Sequence, residues 1–138
     1  MNQGQSEVME TRTSTKILRG SSEFADTLID FGDPVLEILP ARAAEAEVRE
    51  AIELLVSVWN AHALALPAWG APDALQHLQA VADSADAPHF LVRVLSVLGE
   101  RRKGKFADDA RVAEEWTVAG DGRGYVLSCE AKGPRQKG

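Results

Sequence analysis

The chain has 138 residues, enough for one domain with a buried core, and its 45% hydrophobic and 26% charged residues are ordinary for a globular protein. Its net charge is −6, with −9 over residues 1–100 and +3 over residues 101–138, so general nucleic-acid binding is disfavoured and only a local basic patch near the C-terminal part remains. The single Cys129 excludes an internal disulfide, and no run approaches the roughly 18 apolar residues of a membrane span.

Residues 1–20 are polar and aperiodic and are expected to form a flexible N-terminal tail; MNQGQSEVMETRTSTK lacks the apolar core of a secretory signal, so the cytoplasm is the expected compartment and no membrane partner is expected. Ser21-Ser22-Glu23 offers an N-cap to a helix carrying Phe24, Leu28 and Phe31 on one face. Gly32-Asp33-Pro34 interrupts it, and a short second helix or kinked continuation runs from Pro34 to Leu39.

From Ala43 to Leu66 the pattern is strongly helical. Glu45, Glu47, Glu50 and Glu53 suit its positive end, and Pro67 stops it. Val48, Ile52, Leu55, Trp59, His62 and Leu66 recur at spacings of four and three and form one apolar stripe, widened by Leu54, Val58, Ala61 and Ala65. The stretch Trp59-Asn60-Ala61-His62 resembles a polar site at first sight, but Asn60 and His62 are two apart and so point to opposite sides of a helix. The expectation is that Trp59 and His62 face the interior, with His62 bonded to a backbone carbonyl. Asn60 looks outward or bridges to the following loop. Trp69, in the loop Pro67–Pro72, either lids the core or stands exposed as a partner contact.

A further helix is expected from Asp73 to about Val81, and Pro88 opens another that runs to Arg102. On the latter, Phe90, Leu91, Val94, Leu95, Val97 and Leu98 fill one half, and Arg93, Ser96 and Glu100 the other. The period then changes to two. Val112–Ala119 and Tyr125–Ala131 alternate around the glycine-rich Gly120–Gly124, which predicts a β-hairpin. A lone hairpin is marginal in water, so its apolar face must pack on the helices or on a second copy.

Little catalytic chemistry emerges. Asp73 and His77 are spaced for two metal ligands, but no third is in sight, so no metal or other cofactor is expected. Cys129 reads as a small core residue. Walker, dinucleotide-binding and hydrolase-elbow patterns are absent, and Gly120–Gly124 joins two strands where a phosphate cradle needs a helix start. Asp108 and Asp109 read as solvated charges or a cap, while Glu114 and Glu115, as strand neighbours, should face opposite ways. The run Arg101-Arg102-Lys103-Gly104-Lys105 complements the negative end of its helix; alternatively it is a docking patch, with Trp116, Tyr125 and Arg123 adding stacking contacts.

Asp30-Phe31-Gly32-Asp33-Pro34-Val35-Leu36, with Glu47-Val48-Arg49-Glu50-Ala51 and Val58-Trp59-Asn60, resembles small uncharacterised bacterial proteins over roughly residues 24–118. That resemblance implies a bacterial origin and no particular activity.

The expectation is therefore a mainly α (α+β) protein: a helical bundle around a central helix, about 43–66, with a C-terminal β-hairpin, about 112–131, forming one domain over 21–131 with a flexible tail at 132–138. The leading functional expectation is a non-enzymatic accessory protein that binds another protein or a second copy of itself, regulatory or antitoxin-like in role. Its contacts would be Trp69, Arg101, Arg102, Lys103 and Lys105. A nucleic-acid module using 101–105 is the first alternative. A small enzyme near His62, Trp69 or Asp73 is the second.

Overall fold

The computed structural model describes residues 18–40, 42–120 and 124–133. In chain order these form β1 (Leu18–Gly20), α1 (Glu23–Phe31), α2 (Asp33–Leu36), α3 (Glu45–Ala65), α4 (Asp73–Asp83), α5 (His89–Lys103), β2 (Val112–Gly120) and β3 (Tyr125–Lys132). The class is α+β. Among the described residues no helix is long and apolar enough to cross a membrane.

The boundaries follow local chemistry. Ser22 caps α1 by accepting the Ala25 N–H at 3.2 Å. Gly32 caps the end of α1, where α3 passes too close for a side chain: a Cβ there would stand 2.3 Å from Leu55 Cδ2. Asp33-Pro34 then restarts the chain as α2, with proline in the first turn where its missing N–H costs nothing. α3 begins two residues later than its periodicity suggests, at Glu45, where Glu47 reaches back to the Ala44 N–H at 2.8 Å. It ends before Pro67. Gly70, at φ +70, makes the left-handed turn that returns the loop toward the body.

The sheet corrects two expected boundaries. Leu18–Gly20, expected within a tail, is a strand pairing in parallel with Tyr125–Leu127, and Leu18 is buried. The sheet therefore has three strands in the order β1-β3-β2. Lys132, expected in the C-terminal tail, pairs with Val112 as the end of β3. Residues 1–17 and 134–138 of the expected tails, and Asp121–Arg123 of the expected turn, lie outside the described residues. β2 and β3 pair antiparallel, with a bulge at Glu114 between the pairs Ala113–Ala131 and Glu115–Glu130. The bulge also corrects the expectation for the two glutamates: an extra residue breaks the alternation, so Glu114 and Glu115 are both exposed.

α3 packs against α1, α2, α4, α5 and β2. Its buried residues include Val48, Ile52, Leu55, Val58 and Trp59, as the stripe predicts. They meet Phe24, Leu28 and Phe31 of α1, Leu98 of α5, Phe106, and the inward side chains Val118, Leu127 and Cys129 of the sheet. At the centre, Phe31 and Trp59 meet edge to face at 5.3 Å, and Phe106 contacts both, at 5.7 and 5.6 Å. α5 is less buried than expected. Val94, Leu98 and Arg102 are its buried residues, while Phe90 and Val97, expected on the apolar half, are 59% and 39% exposed.

Candidate functional site

The tryptophans and the asparagine singled out in sequence are brought to the segment joining α5 to β2. Trp59 is fully buried, and its Nε1–H donates to the Arg111 carbonyl at 2.7 Å. The Trp69 Nε1–H donates to the neighbouring Ala110 carbonyl at 2.6 Å. Asn60 bonds Ala113 twice: its Nδ2 donates to the carbonyl at 3.0 Å and its Oδ1 accepts the N–H at 2.8 Å. This corrects the expected outward amide. Ala113 lies on β2, an edge of the sheet, just before the bulge, and Asn60 satisfies its N–H and C=O. Trp69 is half-buried and tied to the backbone by that bond.

The basic run is likewise spent on the fold. Arg102 is only 1% exposed. Its guanidinium carbon lies 3.8 Å from the Trp59 ring centroid, Nη1 donates to the Phe106 carbonyl, and Nη2 donates to the Asp109 carbonyl at 2.5 Å. Arg101 donates to the Phe31 and Asp30 carbonyls at 2.9 and 2.6 Å, and Lys105 pairs with the Asp30 carboxylate at 2.7 Å. Both therefore close the C-terminal end of α1, where cations complement free carbonyls. Lys103 stays exposed, 4.0 Å from Glu100. Of the four cations, Arg102 is buried away from the surface, while Arg101 and Lys105 share Asp30. Trp116 and Tyr125 pack on the core, with the Tyr125 hydroxyl donating to the Ala43 carbonyl at 3.0 Å, and Arg123 lies outside the described residues.

The sequence reading missed a second ionic knot. Arg111 grips the Asp109 carboxylate through Nε at 2.9 Å and Nη2 at 2.6 Å, reaches Glu23 at 2.7 Å, and stacks 4.7 Å from the Phe24 ring. Burial opposes ionisation of Asp109, but the bonds from Arg111 outweigh it and hold the carboxyl below its ordinary range. This knot secures the segment that Trp59 and Trp69 also hold.

What remains open is a cleft of about 640 Å³ between α3, α4 and α5. Its apolar walls include Leu66 from the end of α3, Leu75 and Leu78 from α4, and Leu95 from α5. Asp83, Glu100 and Lys103 stand among the lining residues. α4 has no buried residue along its length; Leu75, Leu78 and Ala82 line this cleft, and Leu78 also packs against the core. His62 lies here too, half-buried in the wall, where the expectation had placed it in the dry interior. Near its C-terminal end, the α3 stripe faces α4 and α5 in place of the sheet. A Cβ on Gly99 of α5 would lie 3.8 Å from His62 Nε2. Burial, then the charges of Arg102 and Lys103, lower the imidazole pKa below 6.5, so the ring is neutral at pH 7. Trp59 and Asn60 thus hold the chain entering β2 while His62 lines the cleft, and the three share no cleft.

Other candidates resolve as packing or exposed surface. Cys129 is buried, and burial followed by the Glu130 charge pushes its thiol up to about 11, far from nucleophilic. Asp73 and His77 are exposed on α4. Among the described residues no three His, Cys, Asp or Glu side chains group as a metal site. Comparison with known proteins finds no matching family model, no matching curated protein and no matching solved structure.

Proposed function

We propose that this protein is a non-enzymatic interaction protein whose α3–α4–α5 cleft holds an apolar segment of another protein. In this reading the helices form a bundle around α3, and the antiparallel β2–β3 pair backs it. The observation that carries the proposal is α4: an amphipathic helix with no fully buried residue, whose Leu75, Leu78 and Ala82 line an open cleft. A groove between two helices suits an amphipathic partner helix anchored by apolar side chains. Asp83 and Glu100, on a chain of net charge −6, favour basic residues flanking those anchors.

The test is retention from an extract of the native host, with the chain and its Gln79→Trp variant immobilised side by side. Gln79 is exposed and lines the cleft, so the indole blocks the groove without touching the core. A host protein kept by the first and lost by the second supports the proposal. Retention indifferent to Gln79→Trp overturns it.

One observation favours a second reading, a small-molecule or catalytic site at His62: the cleft volume lies in the range of small-ligand pockets, and a neutral imidazole lines it. The charges acting on that ring are those of Arg102 and Lys103, and no carboxylate orients it among the described residues. Native mass spectrometry showing a small molecule bound to the chain and absent from Gln79→Trp would put this reading first.

A further inference from the structure

α5 has a second exposed face that shares Glu100 and Lys103 with the rim of the cleft. Phe90, Arg93, Val97 and Glu100 are all exposed, and their spacings of three, four and three place them in one stripe. Gly104, just past the helix end, continues it. The order along the stripe is aromatic, cation, aliphatic, anion, glycine. Two of these residues, Phe90 and Val97, are among the large apolar side chains left in water. Among the described residues Arg93 has no ion-pair partner, and Glu100 has only its 4.0 Å contact with Lys103.

We propose that this stripe is self-complementary and is covered by a second copy of the chain, the two α5 helices lying antiparallel about a two-fold axis between Ser96 and Val97. That placement sets Arg93 opposite Glu100 of the second copy, twice by symmetry. The two Val97 side chains meet across the axis. Phe90 lands on Lys103 and Gly104 of the second copy, where the missing side chain leaves room and the ammonium can sit against the ring. A parallel pairing would oppose Arg93 to Arg93 and Glu100 to Glu100, and is rejected by its charges. A nucleic acid is rejected by Glu100. The contact is one helix pair, smaller than a standard stable interface, so the dimer is a weak one. This inference goes beyond the cleft reading and stands without it.

The test is sedimentation velocity of the full chain at loadings from about 10 µM to about 1 mM, the range in which a small interface equilibrates. The sedimentation coefficient should rise with loading toward that of a dimer. Arg93→Glu alone and Glu100→Arg alone should each stay monomeric throughout. Mixing those two variants should restore the dimer, because each then carries the charges the other lacks, and the doubly swapped chain should dimerise by itself. Both positions are exposed, so folding is not at stake. A chain monomeric at every loading overturns the proposal, also where a different host protein is retained through the same stripe. So does a dimer that persists in both single reversals.

Discussion

Arg102→Ala is the sharpest perturbation of this fold. The side chain serves three partners at once: the Trp59 face and the carbonyls of Phe106 and Asp109. Losing the donors leaves those carbonyls unsatisfied, at about 1–3 kcal/mol for a buried group. The desolvated cation–π contact adds about 2 kcal/mol, and truncating a packed stem costs about as much again. Against these stands a gain. Among the described residues Arg102 has no carboxylate at salt-bridge distance and its Nε is unpartnered, so removing it relieves a buried charge. The same desolvation pulls its pKa down to about 10, still charged at neutral pH. The net expectation is a loss of about 4 kcal/mol for Arg102→Ala and about 1–2 kcal/mol for Arg102→Met, which keeps the stem. Urea unfolding followed by tryptophan fluorescence reads both, provided the slope is unchanged. An Arg102→Ala cost below about 1 kcal/mol would refute the reasoning, since such values belong to surface arginines.

Four further outcomes follow from the same geometry. Asn60→Ala should cost about 1–3 kcal/mol through the two orphaned groups of Ala113, measured by denaturant midpoint, whereas a solvent-facing amide would be neutral. Gly32→Ala should cost about 1–3 kcal/mol, because its methyl would enter the space of Leu55, and calorimetry should show a lower Tm. His62 has a folded pKa below that of the unfolded chain, so the unfolded state takes up the proton first on acidification. Its contribution is intact above about pH 6.5 and shrinks as pH falls from there toward the folded pKa; His62→Gln should flatten this part of the stability profile. The Cys129 thiol should react with a thiol-directed disulfide reagent at pH 8 only at the rate at which the chain opens, and fully once unfolded.

The parts of the molecule written in local periodicity were legible in the sequence. Val48, Ile52, Leu55 and Trp59 announce the buried face of α3, Ser22 its neighbour's start, and the alternation of Val118, Leu127 and Cys129 the inward face of the sheet. Several of the misread residues have partners that lie far along the chain. Asn60 finds its partner 53 residues on, and Arg101 and Lys105 find theirs more than 70 residues back. Leu18–Gly20 is too short to carry a period and is a strand only because β3 offers it an edge. One signal was available and unused: Val94, Leu98 and Arg102 are spaced by four, so the arginine sits on the buried face of α5. The cleft could not be seen, because apolar side chains on α4 read the same whether they serve a core or a groove.

Trp59 and Asn60 clasp the chain where it enters β2. Hydrogen exchange by NMR of the Trp59 indole N–H and the Ala113 amide tests this directly. Both protons should persist together at the rate of global unfolding, and in Asn60→Ala the Ala113 amide alone should become fast. Rapid exchange of either proton in the unaltered chain would contradict it.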